Sequence, residues 1–259
     1  MFKDELPLDG VKGFVLCGGQ GSRLRPLTYY FQKVMIPIGN SQKPLLEYAV
    51  KLLRYYDIRD IVLLVGYKAE QIENYFADGK RFGVKLSYVH DRLDRSGTGW
   101  TVVNAYETGA ISDKDLLVVY YGDILSNINT KKLVQYHREK KAVATVVLAG
   151  GFELSVGVTN LMEDSRIKSF IEKPKLEKPV SVGILALSGN ILNYIQDLAR
   201  KSEKLDLMGD VIPSLIKDNL PVYGYITDAF WIDVGSMERY EKLNSDIVEE
   251  KLGFLFEKQ

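Results

Sequence analysis

Cysteine is nearly missing from this chain: Cys17 is the only one in 259 residues. Internal disulfides and cysteine-cluster metal sites are therefore excluded, a reducing compartment suits the chain, and Cys17 reads as a small buried strand residue. Histidine is almost as scarce, and His90 and His137 stand apart with no partner at ligand spacing, which argues against a zinc site or a histidine-centred base. An excess of either charge is missing too. The 34 basic and 34 acidic residues cancel, and no run of five or six like charges occurs, so nothing draws the chain to nucleic acid or to a membrane surface. No stretch reaches the roughly 18 apolar residues of a membrane span, and Met1 to Pro7 is acidic and broken by proline before an apolar run develops. A cytoplasmic protein with a small-molecule partner is the expectation. With 46% hydrophobic and 26% charged residues, the chain has an ordinary globular composition and enough length for a core without staples.

The first half alternates apolar runs with helical patterns. Strands are expected over Gly13 to Cys17, Ile61 to Val65, Val84 to Val89 and Leu116 to Tyr121, with helices over Pro44 to Tyr56, Lys68 to Phe76 and Trp100 to Glu107. Continuous apolar strands separated by helices imply a doubly wound α/β fold with a mostly parallel sheet covered on both faces. After Val143 to Leu148 come Ser155 to Leu161, Ile167 to Ile171 and Val182 to Leu187 with short connections, read as a small antiparallel insert. Helices over Gly189 to Arg200 and Leu207 to Lys217, strands over Val222 to Ile226 and Phe230 to Asp233, and a helix over Ser236 to Glu250 complete the chain. No linker, repeat or low-complexity segment divides it, so a single domain over residues 1–259 is expected.

A glycine-rich segment, Leu16 to Thr28, opens at the end of the first expected strand, where doubly wound folds bind ligands. Glycines let backbone N–H groups approach phosphate oxygens, and Arg23 and Arg25 add charge suited to a polyphosphate. By itself the segment reads equally as a phosphate cradle or a tight turn. No Gly-Lys-Ser/Thr occurs, which rules out a Walker loop, and Leu24 stands where the dinucleotide fingerprint starting at Gly19 needs glycine.

The segment has company, however. Gly18-Gly19-Gln20-Gly21-Ser22-Arg23-Leu24-Arg25-Pro26-Leu27-Thr28 is followed by Lys33-Val34-Met35-Ile36-Pro37, Lys43-Pro44-Leu45-Leu46-Glu47, Gly122-Asp123, Gly157-Val158, Phe170-Ile171-Glu172-Lys173-Pro174 and Trp231-Ile232-Asp233-Val234-Gly235. In this order the motifs resemble the sugar-phosphate nucleotidylyltransferase family over nearly the whole chain. Departures are Ser22 for threonine, Gln32 and Val34 for the prolines flanking the lysine, and Ser181-Val182-Gly183 for Asn-Ala-Gly. The last two are expected to loosen the lysine loop and to alter the sugar contacts. Val65 to Ile72 and Arg81 to Val84 look most like members that make GDP-mannose or related GDP-sugars.

The resemblance implies a Rossmann-like nucleotidyltransferase fold. The nucleotide-binding half covers about 11–150, the sugar-phosphate part about 151–235, and a C-terminal helix 236–250. It implies a reaction of a nucleoside triphosphate with a sugar 1-phosphate, assisted by Mg²⁺. Arg23 and Lys33 would meet the triphosphate, and Asp123 and Asp233 would hold the metal. Lys173 would hold the sugar phosphate, with Glu172, Gly157 and Gly183 on the sugar side. The nucleotide would lie over Leu16, Gly18, Gly19, Gly21 and Ser22, against a wall from Arg92 to Thr98 that contains Gly97. Asp91 or Arg92 would face the base, and an acidic group there suits the donors of guanine. Trp100 and the tyrosines read as packing residues, and Tyr29, Tyr30 and Phe31 as a packed turn. Asp123 and Asp233 are 110 positions apart, so their meeting is a matter for the fold. Many relatives carry a C-terminal β-helix of hexapeptide repeats, which this sequence does not contain; a homo-oligomer would then form through the α/β surface. Other readings stand: a glucose-1-phosphate thymidylyl-, uridylyl- or cytidylyltransferase; a cytidylyltransferase acting on another phosphorylated acceptor, or a glycosyltransferase, of the same architecture; and a regulatory subunit that binds nucleotide sugars. The glycosyltransferase reading lacks its Asp-x-Asp pair near Gly122-Asp123-Ile124, and the regulatory reading predicts loss of charged groups that are all present.

Overall fold

Strands that are apolar throughout need cover on both faces, and the computed structural model, which describes residues 8–92, 94–154 and 156–257, provides it. Seven strands form the central sheet: β1 (Val11–Leu16), β2 (Asp60–Val65), β3 (Lys85–His90), β4 (Leu116–Tyr121), β5 (Ala144–Ala149), β6 (Val180–Ser188) and β7 (Val222–Thr227). Their order is β7-β5-β6-β4-β1-β2-β3, and β6 alone runs antiparallel to its neighbours. Successive side chains leave opposite faces. Val15, Ile61, Leu63, Val118 and Tyr120 join one core, and Phe14, Val62, Leu64, Leu117 and Val119 join the other.

The first core is closed by α1 (Leu45–Tyr55), α2 (Ala69–Phe76), α4 (Thr130–Glu139) and α8 (Ser245–Leu252), through residues such as Leu52, Ile72, Leu133 and Val248. The second is closed by α3 (Thr98–Glu107), α5 (Leu192–Ala199) and α6 (Ile212–Lys217), through Val102, Ile195 and Leu215. Among the described residues no helix is long and apolar enough to cross a membrane.

Two expectations are corrected, and part of a third lies outside the described residues. Val182 to Leu187 lies in the main sheet as β6, not in the insert: Val182, Ile184 and Ala186 feed one core while Leu185 and Leu187 feed the other, a pattern only a doubly covered strand sustains. The insert proper is a hairpin of Val158–Leu161 with Ile167–Ile171, exposed along most of its length, beside a short pair of Phe152–Glu153 with Lys175–Leu176; Ser155, expected to begin that hairpin, lies outside the described residues. The helix expected over Ser236 to Glu250 is two, α7 (Met237–Glu241) and α8, because the Asn244 side chain accepts from the N–H groups of Asp246 (2.8 Å) and Ile247 (3.2 Å) and caps a new start. The sequence reading also passed over α4, which Asn129 caps by accepting from the Lys132 N–H at 2.9 Å.

Candidate active site

Parallel strands leave their C-terminal ends on one edge of the sheet, and the chain turns there into loops. After β1 the Cys17 N–H donates to the Leu64 carbonyl at 2.8 Å and the Gly18 carbonyl accepts from the Tyr67 N–H at 3.2 Å, so the glycine segment begins fixed to β2 and the turn behind it. Its far end is strapped to the start of α2: Lys68 Nζ donates to the Tyr29 carbonyl at 2.6 Å and Gln71 Nε2 to the Tyr30 carbonyl at 2.8 Å. The rings of Tyr29, Tyr30 and Phe31 nevertheless are exposed, Tyr30 by 73%, so the expected packed turn is held mainly through its backbone, with Arg25 Cζ 5.2 Å from the centre of the Tyr29 ring.

Gln32 corrects the expectation of a loosened lysine loop. It is fully buried, its Nε2 donates to the Cys17 carbonyl and, at 3.4 Å, to that of Gly19, and its Oε1 accepts from the Val34 N–H at 2.6 Å. Its own N–H donates to Gln71 Oε1 at 2.6 Å. One side chain thus ties the glycine segment to the turn that carries Lys33. From there Lys33 Nζ reaches Asp123 Oδ2 in a half-buried ion pair.

Asp123 follows β4, and the sheet edge brings Asp233 to it. The strand Ile124–Ser126 pairs antiparallel with Trp231–Asp233, Ile124 lies opposite Asp233, and the Val234 N–H donates to the Asp123 carbonyl at 2.8 Å. Residues 110 positions apart become neighbours by one ladder. Asp233 Oδ2 pairs with Arg239 Nη1, while Asp233 Oδ1 is buried with no hydrogen-bond partner among the described residues.

Two cavities open here. The first, about 410 Å³, is lined by Leu16, Gly18, Gly19, Lys33 and Asp123 together with Asp91, Arg92, Gly97 and Trp100, among others. Asp91 Oδ2 stands in a notch between Gly18 and Gly66; a Cβ on Gly18 would fall 1.9 Å from that oxygen, so only glycine leaves room for the carboxyl. Loss of water on that side raises the Asp91 pKa, against a weaker lowering by the hydroxyl of Thr101 at 3.5 Å. Gly97, at φ +95°, runs so close to the next wall that an added Cβ would meet the Leu205 carbonyl at 2.3 Å. Thr98 ties the same wall down, donating to Asp206 Oδ2 and accepting from the Leu207 N–H, both at 2.8 Å. Trp100 packs against the second core as expected and also lines the cavity, its Nε1 donating to the Ser202 carbonyl at 2.8 Å. Arg92 lines the cavity but spends its charge on Glu107 (3.0 Å) and Asp94 (3.2 Å).

The second cavity, about 420 Å³, is lined by Arg23, Asp123, Ser181, Gly183, Trp231, Asp233 and Arg239, among others. Tyr121 and Asp123 belong to both, so the two spaces meet over the end of β4. Burial pushes the Tyr121 phenol up to about 12, which keeps it a neutral hydrogen-bonding group at the junction; its hydroxyl lies 3.5 Å from Thr98 Oγ1.

Of the residues singled out in the sequence, Leu16, Gly18, Gly19, Lys33, Asp91 and Gly97 line the first cavity, Arg23, Gly183 and Asp233 the second, and Asp123 both. Gly21 and Ser22 form the turn into a short 3₁₀ helix (Ser22–Leu24) and line neither. Glu172 and Lys173 are exposed at the end of the hairpin and also line neither; Gly157 packs there against Phe170 and the Glu172 carboxylate. Sequence reasoning missed Tyr121, Arg239 and the bracing role of Gln32. The signal for Gln32 was its departure from proline; for Arg239, a cation six residues after Asp233, none distinguished it from a solvated helix charge.

The Nucleotidyl transferase family model matches residues 12–250, and the chain belongs to this family. Over 244 residues it is 33% identical to the UTP–glucose-1-phosphate uridylyltransferase of a Synechocystis species, covering 89% of this chain and 61% of that protein. Over 243 residues it is 28% identical to the mannose-1-phosphate guanylyltransferase of Mycobacterium tuberculosis, covering 92% and 65%. The chain thus spans a little under two thirds of the length of these curated relatives. A crystal structure of a putative glucose-1-phosphate thymidylyltransferase from Bacillus anthracis, in complex with sucrose, shares the fold with a TM-score of 0.71 at 24% identity, covering 91% of this chain and 94% of that one. The doubly wound, mostly parallel α/β fold and the family resemblance expected from the sequence are both borne out.

Proposed function

We propose that the chain is a sugar-1-phosphate nucleotidylyltransferase that converts a nucleoside triphosphate and a hexose 1-phosphate into an NDP-hexose and pyrophosphate, with GTP and mannose 1-phosphate as the preferred pair. The observation that carries the reading is the meeting of two cavities of similar size at Tyr121 and Asp123, each with its own cation, Lys33 in one and Arg23 in the other. Two polyanions that repel one another in water can lie end to end there with their reacting groups over β4.

A phosphate oxygen of the sugar 1-phosphate attacks the α-phosphorus in line, the bond from the α-phosphorus to the bridging oxygen breaks, and pyrophosphate leaves with the electron pair. No covalent enzyme intermediate is needed. The glycine segment offers backbone N–H groups to the triphosphate, with Gly21 and Ser22 at its turn, and Lys33 neutralises the departing pyrophosphate, with Arg23 reaching it from the second cavity across the junction at Asp123. Asp91, held inward by the notch at Gly18, accepts from the N1–H and amino donors of guanine.

Asp123 and Asp233 fit a divalent cation. Both residues line the second cavity, and Asp233 Oδ1 is a buried acceptor with no partner among the described residues. No group of three or more His, Cys, Asp or Glu side chains suited to a metal occurs among those residues, which fits Mg²⁺, an ion that takes one or two carboxylates and leaves the rest of its shell to phosphates and water. When bound there, Mg²⁺ would supply charge neutralisation for the phosphate oxygens. Lys173 and Glu172, with Gly157, complete the acceptor side from the hairpin, and because neither side chain lines the cavity, this role requires the hairpin to approach it. In this reading about 11–150 binds the nucleotide and about 151–235 the sugar phosphate, within one catalytic domain working in the cytoplasm.

The higher identity to the Synechocystis enzyme favours a second pair, UTP with glucose 1-phosphate. A matrix of nucleoside triphosphates against mannose, glucose, galactose, N-acetylglucosamine and heptose 1-phosphates, with Mg²⁺ and pyrophosphate release as readout, separates the two. GTP with mannose 1-phosphate is expected to give the highest kcat/KM; silence in every well would refute the catalytic reading.

A further inference from the structure

Each carboxylate assigned to the metal already has one oxygen taken by a side-chain cation. Lys33 pairs with Asp123 Oδ2 and Arg239 with Asp233 Oδ2. The first pair is explained by the family motif that carries Lys33. The second is not: Arg239 lies on α7, outside every motif quoted above, yet its side chain turns back from the helix into the second cavity beside Arg23, Asp123 and Asp233. The Ser236 side chain caps α7, accepting from the Arg239 N–H at 3.4 Å, so the helix start and the arginine are set together. The guanidinium keeps 43% of its side-chain surface exposed and faces open space within the cavity as well as Asp233.

Charge decides what such a group can do. The charges of Asp123 and Asp233 are matched by Lys33 and Arg239, and Arg23 on the same cavity wall adds one further positive charge. A divalent cation entering at Asp233 Oδ1 meets the guanidinium on the other oxygen of the same carboxylate, and the two repel. A phosphate entering beside Arg239 gives that guanidinium a second anionic partner, and a planar fork of donors can turn from a carboxylate to a phosphate without leaving its place.

We propose that Arg239 is a phosphate-binding residue of the acceptor cavity, held in reserve by Asp233. Before metal enters, its guanidinium neutralises Asp233; once a divalent cation takes that carboxylate, the guanidinium passes to the phosphate of the sugar 1-phosphate. Metal and sugar phosphate then assist each other's binding, because each removes the partner that opposes the other. The proposal rests on the nucleotidylyltransferase reading above and deepens it: it assigns a cation of the cavity wall to the acceptor phosphate, where Lys173 on the exposed hairpin is not in place.

The inference makes two effects of one substitution run in opposite directions. In Arg239→Gln, Mn²⁺ alone, followed by the paramagnetic resonance signal of the free ion, should bind several-fold more tightly, since its competitor for Asp233 is gone. Mannose 1-phosphate, titrated calorimetrically in saturating Mg²⁺ without nucleotide, should bind about tenfold more weakly, the scale of one lost charge-assisted hydrogen bond. Arg239→Lys, which keeps the charge and the fold of the helix but loses the fork, should fall between wild type and Arg239→Gln on both readings. Asp233→Asn is the control for the parent reading: unchanged Mn²⁺ affinity in that variant overturns the metal assignment itself, and this inference with it. If Asp233→Asn loses Mn²⁺ as expected, the inference is overturned alone by Arg239→Gln binding both ligands as wild type does, or by its weakening both, the mark of an arginine that merely props Asp233.

Discussion

Replacing Gln32 by leucine tests the bracing of the glycine segment most directly. The substitution keeps the volume close but removes both ends of the amide: the Cys17 carbonyl loses its donor, the Val34 N–H loses its acceptor, and the contact to the Gly19 carbonyl goes as well. The site is fully buried, so water does not replace these partners without a rearrangement of the loop. A buried polar group left unpaired costs about 1–3 kcal/mol, so two give a loss of about 2–6 kcal/mol. At roughly 2–4 °C per kcal/mol for a chain of this size, the apparent Tm should fall by about 4–24 °C. Lys33 stands next in the chain, so the KM for the triphosphate should rise even at temperatures where the variant is folded. Gln32→Pro, the residue of the related motif, additionally removes the N–H that donates to Gln71 and should be no more stable than the leucine variant. Thermal unfolding by circular dichroism, with KM measured in parallel, is sufficient. A Tm within about 1 °C of wild type for Gln32→Leu would show that the amide is not a brace.

Other outcomes follow from the same geometry. Gly18→Ala should destabilise the protein by forcing the Asp91 carboxyl out of its notch, and Asp91→Ala should restore most of the loss in the double variant, since the three atoms nearest a Cβ at Gly18 all belong to Asp91; strictly additive unfolding free energies would contradict this. His137 is buried between Thr145 Oγ1 (2.9 Å) and Ser188 Oγ (2.8 Å), and burial holds its pKa at about 4, below the ordinary 6.5. Its folded pKa is depressed, so the stability it contributes is fully present above pH 6.5 and is lost as pH falls toward 4, by about 3 kcal/mol in all. Urea unfolding across that window should show the slope in wild type and a flatter one in His137→Gln; equal slopes would assign the pH dependence elsewhere. Asp123→Asn should lower pyrophosphate release by about a hundredfold or more, the order of losing one charge-stabilising group, and turnover with unchanged Mg²⁺ dependence would sink its assignment.

How much of this was legible in the sequence can be judged residue by residue. Strands β1, β2 and β4 stood out because they are apolar along nearly their whole length, Lys12 and Asp60 apart, and that demanded a sheet covered on both faces. The same reading misplaced β6, since a strand after short connections looks local whether it closes a hairpin or crosses back into the middle of a sheet; only its pairing with β4 and β5 distinguishes the two. The Asn244 cap that splits the last helix was in the sequence, but an asparagine inside a helical pattern is ambiguous until its side chain is seen to accept from the turn ahead.

At the site, the sequence by itself determined the inventory of chemistry: the glycine segment, the cations Arg23 and Lys33, the carboxylates Asp123 and Asp233, and the absence of cysteine and histidine clusters that would have suggested other reactions. These are properties of residue type and order, and no folding is needed to read them. Tertiary structure alone decided who meets whom. It brought Asp233 to Asp123 through one antiparallel ladder, turned Gln32 from an expected weakness into a buried brace, left Glu172 and Lys173 on an exposed hairpin, and set Arg239 on a carboxylate that the motifs assign to a metal. The physical reason is that charge pairing and burial depend on distance in space, which a linear order of residues does not contain.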